Sequence, residues 1–282
     1  MNIFNILKEV EKVDPEIFDR IDPRREVFKH FGGFGKKLAA AAIPIAFGSM
    51  LNKAYGQNTT MPSVREVLEF ALLLENLEYH FYLRAAATDI FPSAAGKTAF
   101  GVIRDHEKAH VDFLRTAISG LGGAAPTPYT DASFDWTANG LLGNATFTSY
   151  PTMLAVAQAF EDTGVRAYKG AAPALMSNDI VLQAALQIHS VEARHAAHLR
   201  RMRRDMASGV AGLKPWITMK DRGGLPAEFQ GIYDGEEVTT QATVNITGTF
   251  GGITIDANAA SEAFDEPLTV AQVNAIVMPF IA

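Results

Sequence analysis

The chain has 282 residues, 48% of them hydrophobic and 20% charged, an ordinary balance for a globular protein with a sizeable core. A net charge of -6 argues against a nucleic-acid partner, which would want a basic face. There is no cysteine, so disulfides, zinc–thiolate sites and thiol catalysis are excluded.

Residues 1–23 are charged and weakly amphipathic. Arg24 and Arg25 follow, and Lys36 and Lys37 precede an apolar, alanine-rich run from Leu38 to Leu51. The run ends near Ala54-Tyr55-Gly56, with small residues at the outer positions of a cleavage-like triplet. Together these features resemble a twin-arginine export signal over residues 1–56, which implies a periplasmic location. The other reading of the same residues is a helix that packs on the body of a cytoplasmic protein. The run is too short and too rich in alanine to read as a membrane span. Residues 57–62, QNTTMP, read as a linker.

Four long helical segments come next and define a body over 57–207. Ser63 and Glu66 form a capping box before an apolar run, which predicts a helix over 63–87. A second is predicted over 94–119, stopped by Gly120, Gly122 and Gly123. Residues 121–150, rich in Gly, Pro, Thr and Asn, read as a long connection. A third helix is predicted over 151–172, before Pro173, and a fourth over 178–207 after Ser177, Asn178 and Asp179 as cap candidates. Residues 208–282 lack enough long apolar segments to bury a core of their own. They read as a wrapping extension with some strand-like alternation over Val238 to Thr249. Thr269 and Gln272 box the start of a short terminal helix over 270–279.

The inward stripes carry the chemistry. In the first helix the stripe is Val64, Leu68, Ala71, Glu75, Glu78, Tyr82; in the second Phe100, Ile103, Glu107, His110, Leu114, Ala117. In the third it is Leu154, Ala157, Glu161, Gly164, Tyr168; in the fourth Ala185, Ile188, Glu192, His195, Leu199, Met202. Each is apolar at its ends and bears acid, with imidazole in two of the four, at its centre. A carboxylate on a buried face is costly unless paired or bound to a cation. Four helices carrying that cost at one level point to a common cause, and metal ions supply one. One E-x-x-H is weak evidence; here Glu107/His110 and Glu192/His195 stand 85 residues apart. Glu75 and Glu161 precede them at an offset of 86, and each is followed seven residues later by a tyrosine, Tyr82 and Tyr168. The chain thus reads as a degenerate repeat of a helix pair.

A Glu from each of two helices plus E-x-x-H from each of the other two resembles the ferritin-like di-iron and di-manganese carboxylate proteins. The stretches LENLEYHFY, RDHEKAHVDFL and AFEDTGVRAYKGAAP resemble most the exported, desiccation-associated branch of that family. The resemblance covers about residues 61–207. It implies an all-α fold, a four-helix bundle with one long crossover, and a centre of two Fe or Mn ions. Glu107 and Glu192 would bridge the ions. His110 and His195 would each bind one, and Glu75 and Glu161 would be terminal ligands. Glu78 is the alternative to Glu75, although its repeat equivalent is Gly164. Tyr82 and Tyr168 would orient ligands or pass electrons, or else be ordinary core tyrosines. His80, His106, His189 and His198 read as surface or satisfied histidines. Arg200, Arg201, Arg203 and Arg204 read as a solvated face that complements the helix dipole.

Three functions follow. The first is an oxidase, ferroxidase or manganese catalase-like enzyme acting on dioxygen or hydrogen peroxide. The second is metal sequestration as a monomer or homodimer, since the end extensions argue against a cage. The third is a structural stress protein whose acids and histidines form a polar network without metal.

Overall fold

The computed structural model describes residues 62–206 and 209–282. The export-like segment 1–56 lies outside the described residues.

Four long helices form the body: α1 Val64–Ala86, α2 Ala94–Gly120, α3 Tyr150–Ala171 and α4 Asp179–Asp205. All four predicted helices are present, with ends within two residues of the expected ones. Their starts are set by side-chain caps. Ser63 and Glu66 exchange both capping-box hydrogen bonds at α1, and Ser93, Ser149 and Asn178 each accept a first-turn amide at the other three. Pro173 closes α3 into a short 3-10 turn, Ala172–Leu175. No helix among the described residues is long and apolar enough to cross a membrane.

α1 packs chiefly on α2, and α3 on α4, giving two helical hairpins with their apolar stripes facing. The crossover from 121 to 149 runs back along the bundle and adds aromatic mass to its side. Phe81 of α1 is fully buried among Trp136 and Phe147 of the crossover and Phe160 of α3, at ring separations of 5.3–6.2 Å. Edge-on and tilted rings at these distances add to what area burial alone contributes. The crossover is pinned by the far end of the chain. Asp135 N donates to the Phe280 carbonyl (2.8 Å), and Ala282 N to the Ser133 carbonyl (3.0 Å).

The C-terminal region holds two small hairpins, β1 Thr240–Gln241 with β2 Val244–Asn245, and β3 Gly248–Phe250 with β4 Ile253–Ile255. Each turns on two residues of positive φ, Ala242 and Thr243 in the first, Gly251 and Gly252 in the second, as a right-twisted two-residue hairpin requires. Two short helices follow, α5 Ala257–Ser261 and α6 Val270–Val277. The all-α expectation with minor strand and a short terminal helix therefore holds.

This region wraps α3, which is buried on nearly every face. Its outer face is polar, so burial demands partners. Arg166 reaches Glu236 at 2.7 Å and donates to the carbonyls of Ile232, Asp234 (3.0 Å) and Glu266 (2.8 Å). Asp162 accepts two hydrogen bonds from Arg200, at 2.9 and 2.7 Å, and one from Tyr233 (2.7 Å). Arg203 donates to Gln158 (2.5 Å). Gly170 permits the backbone approach beside this network: a Cβ there would fall 2.0 Å from the Leu268 carbonyl oxygen. The solvated-face reading of the arginine cluster is corrected at two positions. Arg201 and Arg204 are exposed, but Arg200 and Arg203 are buried, because the extension covers that side of α3 and α4.

Burial raises the Glu236 carboxyl to about 7 despite Arg166 beside it. Removing Arg166 leaves that acid buried without its cation, so Arg166→Met is expected to cost about 3–5 kcal/mol in urea melts. The loss is expected to be larger near pH 8 than near pH 5. A folded-state pKa raised above the unfolded one gives stability that is lost as pH rises through it. Adding Glu236→Gln is expected to restore part of the loss and flatten its pH dependence.

Candidate metal centre

At mid-height the four stripes bring their acids and imidazoles together. Glu75, Glu107, Glu161 and Glu192 are fully buried, and His110 and His195 nearly so. Nδ1 of His110 lies 3.0 Å from Glu75 Oε2, 3.0 Å from Glu107 Oε2 and 3.3 Å from Glu192 Oε1. Nδ1 of His195 lies 3.0 Å from Glu107 Oε1 and 3.1 Å from Glu161 Oε2. Two overlapping groups result: Glu75, Glu107, His110 and Glu192, and Glu107, Glu161, Glu192 and His195. In each, one ligand atom per residue lies within 4.8 Å of the others. Glu107 and Glu192 are common to both.

The two tyrosines cross between α1 and α3. Tyr82 Oη donates to Glu161 Oε1 (2.5 Å), and Tyr168 Oη donates to Glu75 Oε1. A residue late in each helix thus meets a residue earlier in the other, which is the signature of an antiparallel pair. Burial and the adjoining carboxylates push both phenols well above their ordinary range, so both remain protonated donors.

Glu78 is buried too but belongs to neither group. Its carboxylate sits with that of Glu192 over Gly164. A Cβ at 164 would stand 3.1 Å from Glu192 Oε2 and 3.4 Å from Glu78 Oε1. The repeat is broken here where a side chain at 164 would crowd these two carboxylates.

The electrostatics describe a site short of positive charge. Burial, then the neighbouring carboxylates, push Glu78 and Glu192 well above the carboxylate range, and Glu107 follows for the same reasons. Burial raises Glu161 to about 8. Glu75 goes the other way: burial would raise it, but hydrogen bonds and charge from His110 outweigh that. The two imidazoles also differ. Burial lowers His195, whereas at His110 the carboxylates of Glu107, Glu192 and Glu75 close to its ring overcome burial and raise it. A ring nitrogen carries at most one proton and serves one acceptor well, so the two imidazoles leave oxygens over. Glu107 Oε1 and both oxygens of Glu192 receive no hydrogen bond, although His195 Nδ1 stands 3.0 Å from the first. Buried acceptors left unsatisfied cost about 1–3 kcal/mol each, more when charged. Four carboxylates match the charge of two divalent cations, and oxygen ligands with two imidazoles suit iron or manganese. The residues present therefore fit a pair of such ions.

One neighbour escaped the sequence reading. His106, read as a surface or satisfied histidine about a quarter turn off the stripe, places Nδ1 2.9 Å from Nε2 of His195. The H-x-x-x-H spacing of His106 and His110 was the only signal available. His80 meets the carbonyl of Tyr129 at 3.2 Å, a satisfied histidine away from the centre.

A family model described as a ferritin-like domain matches residues 63–205, just over half of the chain. The match begins at the cap of α1 and ends with the last residue of α4. No curated protein and no solved structure matches the chain. The bundle, its buried acid and imidazole centre and this match agree, and the chain belongs to the ferritin-like domain family.

Proposed function

We propose that the protein is a di-metal carboxylate protein that binds two ions of iron or manganese and turns over dioxygen or hydrogen peroxide. The observation that carries this reading is the set of buried carboxylate oxygens without hydrogen-bond donors, converging with two imidazole nitrogens. Bound iron or manganese would supply the redox chemistry toward those oxidants. The resemblance to the desiccation-associated branch and the export-like residues 1–56 support a role in stress protection outside the cytoplasm.

The chain's own part is to hold and orient. Glu107 and Glu192 face both positions, while His110 and Glu75 face one and His195 and Glu161 the other. Tyr168 and Tyr82 each take one oxygen of Glu75 and Glu161, which leaves the other oxygen of each toward the centre. Apolar layers above and below, from Leu68 and Leu114 to Phe100 and Leu199, keep water away. Burial and its acidic neighbours raise the Glu78 carboxyl well above the ordinary range, which favours its protonated form beside Glu192.

The direct test is metal content by plasma mass spectrometry on protein purified without chelator. About two Fe or Mn per chain are expected, lost in the His110→Ala/His195→Ala double variant; an unchanged content in that variant would place the metal elsewhere. Loading should also release protons, because burial raises Glu107, Glu192 and Glu161, and each must give up any proton it holds to bind a cation. Mn(II) affinity is therefore expected to rise as the pH is raised through about 8, with the released acid read in a pH-stat. Gly164→Ala is expected to weaken Mn(II) binding about 10- to 100-fold with helical circular dichroism unchanged, since the added methyl displaces Glu192.

A further inference from the structure

We infer that His106 is a positioning residue that fixes the tautomer of His195, and that the two ion positions are unequal because His110 has no such partner among the described residues. The inference rests on the di-metal reading above. The rings of His106 and His195 lie within 15° of parallel with centroids 5.2 Å apart, and they approach through their nitrogen edges at 2.9 Å. One proton lies between Nδ1 of His106 and Nε2 of His195. A ring nitrogen that binds a cation must be free of its proton, so an ion on Nδ1 of His195 requires the proton on Nε2. His106 Nδ1 is the acceptor for that proton. Without it, the competing tautomer gains, because an Nδ1–H of His195 would donate to Glu161 Oε2, 3.1 Å away. His106 itself is exposed, so its own Nε2–H is served by water.

The second half of the repeat lacks this device. Glu107 and His110 correspond to Glu192 and His195, so His106 corresponds to Val191, which carries only methyl groups. The arrangement is confined to one of two otherwise matching ligand sets. The position served by His195, Glu161, Glu107 and Glu192 is therefore the tighter one, filled first as ion concentration rises.

The experiment combines Mn(II) titration by calorimetry with nitrogen-15 NMR of the histidine rings in chelator-treated protein. It compares the wild type with His106→Ala, His106→Gln and Val191→Ala. The wild type should show His195 protonated on Nε2 and two Mn(II) steps of different affinity. His106→Ala should move the His195 proton to Nδ1 and weaken the tighter step about 10- to 100-fold, leaving the other unchanged. The glutamine variant, which can offer a carbonyl acceptor, should restore both signatures, and Val191→Ala should change neither. A wild-type His195 protonated on Nδ1, an alanine variant with both steps intact, or equal weakening of both steps would overturn the inference. Failure of the wild type to take up Mn(II) or Fe(II) at all would overturn the di-metal reading, and with it the inequality of the two positions.

Discussion

Four carboxylates, one from each long helix, are buried at one level of an apolar bundle. Two antiparallel hairpins with leucine, isoleucine and alanine stripes would pack without them. Placing Glu75, Glu107, Glu161 and Glu192 where the stripes meet gathers buried carboxyl groups whose oxygens are not all hydrogen-bonded. Protons, two imidazoles and two phenols meet part of that demand. The cations proposed for the centre would meet the rest.

The centre is organised by a two-fold relation between hairpins, and its departures from that relation are informative. Tyr82 and Tyr168 obey it, each reaching across to the terminal glutamate of the opposite helix. Glu78 and Gly164 break it, and a Cβ at 164 would crowd the carboxylates of Glu192 and Glu78. His106 and Val191 break it a second time, on the other side of the centre. Both departures add polar atoms to one half alone. A symmetric scaffold thereby surrounds its two overlapping groups of acids and imidazoles with different neighbours.

A second buried polar system stands beside the first and does different work. The outer face of α3 carries Gln158, Asp162 and Arg166, which on a free bundle would face water. Here Arg200, Arg203, Tyr233 and Glu236 meet them, and backbone carbonyls of the extension complete the set. This network joins the extension to the helix that carries Glu161 and Tyr168. Its register is specific, since each charge would be stranded by a slip, whereas an apolar face would tolerate one.

Much of the bundle was legible in the chain alone. Caps at Ser63 and Asn178, the stop at Gly120 to Gly123 and Pro173 after α3 are local signals, so the helices and their ends could be read from short stretches. The repeated Glu, Tyr and E-x-x-H spacings also placed six acids and imidazoles on inward faces, because a helix fixes the direction of a side chain from its position in the turn. What a helix does not fix is which neighbour lies against the other faces. Arg200 and Arg203 are buried because the extension, remote in sequence, covers them. His106, a quarter turn off the stripe, met His195 only because α2 and α4 adjoin at that level. The role of Gly164 as space for two carboxylates needed all three helices in place. Sequence determined each helix and its inward face, through interactions that span a turn or two. Tertiary structure decided the partners, because contacts between residues 89 or 70 positions apart depend on how the helices pack and not on what lies next to them in the chain.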